Sequence, residues 1–105
     1  MTPLIVAACG GDPGAVSLLL ERTDIDPNEA DNGGKTALIH AAINGHVAVA
    51  SVLANRDDLD INRQDFARDS ALCCAARRGH EAVVRALLQV ARVSVNNDEG
   101  NSPLV

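Results

Sequence analysis

The sequence predicts an all-α fold in which one helix pair is repeated along the chain. Three observations carry this: a recurring period, apolar residues at helical spacing in every copy, and a core with almost no aromatics to build with. From Thr2 the chain reads "TPLIVAACGGDPGAVSLLLERTDIDPNEADNGGK", from Thr36 "TALIHAAINGHVAVASVLANRDDLDINRQDFARD", and from Ser70 "SALCCAARRGHEAVVRALLQVARVSVNNDEGN". A fourth start, "SPLV", follows at Ser102, so the starts at 2, 36, 70 and 102 lie 34, 34 and 32 residues apart. Matching positions keep their chemistry, as in Leu4, Leu38 and Leu72, or Gly11, Gly45 and Gly79. Self-similarity at such a period marks units that bury their apolar faces only by stacking on one another. We therefore divide a single domain, 1–105, into repeats of about 2–35, 36–69 and 70–101, with 102–105 opening a further one.

Each unit begins with a helix. Thr36 or Ser70 can cap its start by accepting orphan amides, and Leu38, Ala41 and Ala42 fall at i, i+3 and i+4. Gly11, Gly45 or Gly79 can end it in a left-handed conformation. A second helix follows, with Val49, Val52 and Leu53 or Val83, Ala86 and Leu87 at the same spacing. In the first copy Asp12-Pro13 is its start signal, a capping carboxylate before a residue that lacks the orphan amide. A polar stretch of Asp, Asn and Gly then leads to the next unit. Phe66 is the single aromatic in a chain that is 47% hydrophobic, so Ala, Val, Leu and Ile must fill the core.

The bulk numbers exclude several classes. A net charge of −5 argues against non-specific nucleic-acid binding. No apolar run approaches the roughly 18 residues of a membrane span, and no basic segment precedes a long apolar one as in a signal peptide. Cys9, Cys73 and Cys74 are an odd set without framework spacing, which reads as free thiols in a reducing, cytoplasmic or otherwise intracellular compartment.

"TPL…AA…GG" and "GHEAVVRALL" resemble the ankyrin repeat, whose pattern is T-P-L-H-x-A-A-x-x-G-H at a period near 33 residues. The resemblance recurs in phase three times and covers essentially the whole chain. It implies a solenoid of stacked antiparallel helix pairs joined by long hairpin-like turns that project at about a right angle. The tetratricopeptide repeat has a similar period but longer helices, shorter connections and large aromatic positions without counterpart here.

The chain departs from the family pattern in three places. Ile5, Ile39 and Cys73 stand where the pattern has His, so the hydrogen bonds of that histidine are expected to be absent. Arg68 replaces the glycine found at Gly34, which predicts a strained or re-formed turn. The third unit is two residues short, in "NNDEGN", which predicts a tighter turn before Ser102.

The candidate chemistry is thin. "DIDPN" and "DLDIN" open like an EF-hand loop, but its sixth position would be Glu29 or Arg63 and its twelfth Lys35 or Asp69, so no calcium cage closes. Cys73 and Cys74 point about 100° apart on a helix, and His40 alone at the position of Cys74 makes no zinc site; both cysteines are read as small buried packing residues. His46 and His80, as family residues, are expected to hydrogen-bond to nearby backbone. Ser17 and Ser51 lack a base or glycine elbow, and Gly33-Gly34-Lys35-Thr36 lacks the P-loop spacing. We expect no enzyme, no metal and no cofactor.

Arg77-Arg78 can be a solvated helix end whose cations offset the helix dipole. In the family's geometry, helix ends and turn tips instead line a concave groove for a partner protein. On this sequence the resemblance maps that groove to Ile43, Asn44, Arg77 and Arg78 with the tip residues Asn32, Gly33, Lys35, Phe66, Ala67 and Asp69. Aromatic and arginine side chains side by side are the types enriched in binding hot spots. The expected function is a protein–protein interaction module within a longer protein. The alternative is a structural or regulatory segment of a larger enzyme or signalling ATPase with no partner of its own. Neither end resembles a polar capping unit, so uncapped ends open a route to self-association, with Leu4, Val16 and Leu19 or their neighbours expected to be exposed on the leading face and residues such as Val84 and Leu88 on the trailing face.

Overall fold

The computed structural model describes residues 2–97, with side-chain surroundings through Val90. Six helices follow in order: α1 (Pro3–Gly10), α2 (Pro13–Leu20), α3 (Ala37–Asn44), α4 (Val47–Ala54), α5 (Ala71–Arg77) and α6 (Glu81–Asn97). They form two layers. The first helices of the repeats, α1, α3 and α5, pack side by side, and α2, α4 and α6 do the same behind them.

The ends of these helices are set by the residues that the sequence offers for them. Thr2, Thr36 and Ser70 accept the amides of Ile5, Ile39 and Cys73 at 3.1, 3.3 and 3.3 Å. Gly11 and Gly45 close α1 and α3 at φ 73° and 74°, a conformation that is cheap only without a Cβ. Asp12 caps α2 by accepting the Ala15 amide at 3.2 Å, with Pro13 as the first helical residue. Asp26 and Asp60 each accept the amide two residues on, from Asn28 and Asn62, while Asp24 and Asp58 pair with Arg22 and Arg56. The acids of "DIDPN" and "DLDIN" are thereby engaged as turn formers.

The core is aliphatic: Leu4, Ile5, Val16, Leu38, Ile39, Val49, Leu53 and Val83 are fully enclosed. Alanines at 8, 37, 41, 42, 50, 71 and 75 are also buried, and their small size allows the short helices to approach closely.

Three expectations are corrected. Leu4 and Val16 are buried, not exposed on the leading face, because they point toward the second repeat; Leu19 is half-buried. Cys73 is exposed, and only its neighbour Cys74 is enclosed. The last helix is 17 residues long, against 8 for α2 and α4, since the chain beyond Val90 has no Asp at the positions of the turn-forming Asp24 and Asp26. On the trailing side Leu88 is exposed, as expected, whereas Val84 is half-buried. The start of a fourth unit at 102–105, and the shortened turn before it, lie outside the described residues.

Candidate partner-binding groove

The groove is built from two turns and two helix ends. In the first turn Asp31 Oδ1 accepts the amides of Gly33 and Lys35, both at 2.9 Å, and in the second Asp65 Oδ1 accepts those of Ala67 and Asp69, again at 2.9 Å. Short antiparallel bridges, Ala30 to Thr36 and Gln64 to Ser70, close both turns at their bases. Gly34 and Arg68 take the same left-handed position at φ 80° and 70°. Arginine thus keeps the glycine conformation, at a strain on the order of 1 kcal/mol.

The second carboxylate oxygens differ. Asp31 Oδ2 accepts a hydrogen bond from His40 Nε2 at 2.7 Å, which holds the Asp31 carboxyl down at about 2. The histidine one place later in the repeat therefore supplies a bond to the turn that the missing family histidine was expected to leave unmade. Asp65 Oδ2 instead meets Lys35 Nζ at 3.2 Å, across from the other turn. The backbone amide of Asp69, then the Lys35 ammonium, keep Asp65 below the usual carboxylate range despite burial. Asp69 receives both terminal nitrogens of Arg77, at 2.9 and 2.8 Å, and that fork lowers its pKa in turn.

These contacts create a recess of ≈ 150 Å³ between the turn tips and the ends of α3 and α5. It brings together six of the sequence-derived candidates: Lys35, Ile43, Ala67, Asp69, Arg77 and Arg78. Asp65 and Cys74 also line it and were not singled out in the sequence for this surface; the repeat position of Cys74, facing the turn as His40 does one unit earlier, was the available signal. Burial pushes the Cys74 thiol up, so it is no ready nucleophile. Asp65, Asp69 and Cys74 place three donor atoms within 4.8 Å of one another, but the two carboxylates are already engaged by Lys35 and Arg77. Asn32, Gly33, Asn44 and Phe66 lie outside the recess, all four exposed.

Phe66 is anchored at its base and open at its face. Its amide donates to the Gly33 carbonyl at 3.1 Å, and its ring lies over Gly34 so closely that a Cβ there would stand 2.7 Å from it. Even so the residue is 79% exposed. It is neither core nor loose.

The two Gly-His pairs serve the stack. His46 Nε2 donates to the Cys9 carbonyl at 3.1 Å and His80 Nε2 to the Ile43 carbonyl at 3.0 Å, each carbonyl belonging to the preceding repeat. The His46 ring sits against Gly11 and the His80 ring against Gly45, where any Cβ would clash at 2.8 and 2.7 Å. Arg56 reaches back to the Leu20 carbonyl at 3.3 Å, and Asn28 donates to the Asp58 carbonyl at 2.8 Å. Nearby backbone was the expected partner of the histidines; the crossing to the preceding unit was not legible in one repeat read alone.

Comparison with known proteins agrees with this construction. The family described as ankyrin repeats (3 copies) matches residues 1–65, and a single ankyrin repeat matches residues 68–98. Among solved structures, the crystal structure of the human ASB11 ankyrin repeat domain is similar, with 27% sequence identity and a TM-score of 0.77. The match covers 86% of this chain and 40% of that one, so this chain spans less than half of that domain's length. No curated protein matches the chain. With the period, the caps, the stacked pairs and the histidine ties in agreement with these matches, the chain belongs to the ankyrin repeat family.

Proposed function

We propose that this chain binds a partner protein through the groove between its turn tips and helix ends, with Phe66 as the anchor. Ankyrin repeats are generally protein–protein interaction modules, and a rigid open solenoid presents surface more readily than an enclosed pocket. The observation that carries the reading is Phe66, a large ring held in place by Gly33 and Gly34 yet 79% exposed. A pre-positioned aromatic loses little freedom on binding. Beside it the recess offers Lys35, Arg77 and Arg78 for orientation. Nucleic acid and membrane are not the proposed targets of a chain with net charge −5 and no helix, among the described residues, long and apolar enough to cross a membrane. Three thiols without a disulfide fit a reducing compartment such as the cytoplasm.

Affinity capture tests the proposal when run with the wild-type chain, Phe66→Ala and Arg78→Ala in parallel. A protein retained by wild type and lost by roughly tenfold or more with Phe66→Ala supports it. Unfolding by urea should place Phe66→Ala within about 0.5 kcal/mol of wild type. Equal retention by all three chains removes Phe66 as the anchor, and retention by none of them favours the other reading, a structural segment of a larger protein without a partner of its own.

A further inference from the structure

The charges of the groove are sorted into pairs with a remainder. Asp31 has His40, Asp65 has Lys35 and Asp69 has Arg77. Arg68 and Arg78 are left over: both are exposed, and neither guanidinium makes a hydrogen bond or ion pair among the described side chains. Elsewhere the balance is reversed. Arg22, Arg56 and Arg85 each have an acid, and of the other described arginines outside the groove Arg63 alone lacks one. The acids without an ion pair, Asp12, Glu21, Asp26, Glu29, Asp57 and Asp60, fall at the ends of the second helices and in the stretches after them. A chain of net charge −5 thus keeps free cations at its groove. Arg68 is also the one described non-glycine residue at positive φ, 70°, where the preceding turn has Gly34. That position is strained by about 1 kcal/mol relative to glycine, and within the fold the side chain returns no contact for it. Strain held at a side chain with no partner inside the chain points to a partner outside it.

We propose that Arg68 and Arg78 read carboxylates of the partner, so that the groove takes an acidic segment, with aspartate or glutamate side chains flanking an apolar residue that packs on Phe66. The proposal rests on the partner-groove reading above and names the chemistry of that partner. Phe66, two residues before Arg68 and 79% exposed, supplies the apolar contact. The two free guanidiniums supply charge-assisted hydrogen bonds and steer an acidic segment to the groove against the field of an acidic chain. Carboxylates fit better than a phosphate. The free guanidiniums stand on separate elements, one on the second turn and one at the end of α5, while Lys35 and Arg77 are held by Asp65 and Asp69. Those two carboxylates would repel a dianion gathered among them more than singly charged groups set apart.

Random peptides displayed on phage and selected against the full chain supply the probe. Recovered peptides should be enriched in acids on either side of an apolar residue and, made synthetically, should lose about tenfold or more in affinity with Phe66→Ala. Arg68→Gly and Arg78→Ala should each weaken them about three- to tenfold, while Arg63→Ala should leave them within about twofold. Arg68→Gly is the decisive variant, because it relieves strain and its loss of binding cannot come from unfolding. Peptides that depend on Phe66 but carry no excess of acids, or that are unmoved by Arg68→Gly or by Arg78→Ala, overturn this proposal and leave the groove reading standing. Peptides indifferent to Phe66→Ala, or no recovery at all, overturn the groove reading and this proposal with it. A gain of about tenfold or more on exchanging a glutamate of a recovered peptide for phosphoserine overturns the choice of carboxylate and makes phosphate the ligand.

Discussion

The turn at Asp31–Thr36 passes through the left-handed region at Gly34, and the turn at Asp65–Ser70 passes through it at Arg68. Both are held by one aspartate oxygen accepting the amides two and four residues on, at 2.9 Å in every case. What differs is the other oxygen. The first turn closes on the helix that follows it, through His40 of α3, and the second reaches back to Lys35 of the first turn. Phe66 adds to this dependence, since its amide and its ring both rest on Gly33 and Gly34. The comparison teaches that the path of the turn is fixed by the aspartate and its backbone bonds, which leaves the remaining side chains to set who leans on whom.

The largest test removes the shared element. Asp65→Ala should cost about 2–4 kcal/mol in urea unfolding, because a buried acceptor of two amides and an ammonium is lost. A cost below about 1 kcal/mol would mean that the turn holds itself without its carboxylate.

The left-handed position should respond with opposite signs in the two turns. Gly34→Ala is expected to cost about 1–3 kcal/mol, from positive φ and from the Phe66 amide nitrogen 2.9 Å from the new Cβ.

Acid separates Asp31 from its replacement. Its folded pKa of about 2 lies below the ordinary 3.8, chiefly through the His40 bond. Its contribution is therefore complete above about pH 4 and is lost as the pH falls toward 2, on the order of 1–2 kcal/mol. Asp31→Asn should show a shallower loss of stability across that window; an identical slope would remove Asp31 as its source.

The smallest effect is the reverse of the glycine test. Arg68→Gly should stabilise the chain by about 0.5–1 kcal/mol, relief of strain being partly offset by greater freedom in the unfolded state. Destabilisation would show that the Arg68 side chain does more than tolerate its backbone.

What the sequence revealed follows the range of the interactions. Caps, glycine ends and the Asp12-Pro13 start act within four residues, and they were legible because their partners are neighbours in the chain. The groove was legible as a set of positions only through the family geometry, and six of its ten candidates meet in one recess. The pairing of His40 with Asp31, nine residues apart, depends on how the turn folds over α3, which spacing alone does not state. Leu4 and Val16 were assigned to the wrong face because helical periodicity separates inside from outside. It does not separate the neighbour before from the neighbour after.

The ties between units have a kinetic consequence. His46 to Cys9 and His80 to Ile43 each span 37 residues, Arg56 to Leu20 spans 36 and Asn28 to Asp58 spans 30. Each interface therefore closes a loop of nearly the same length, wherever it lies in the stack. The entropy of loop closure grows with the logarithm of that length, so it stays constant per interface as units are added. Relative contact order, the mean separation divided by chain length, falls with every added repeat, and a longer stack of this kind faces no rising topological barrier to folding.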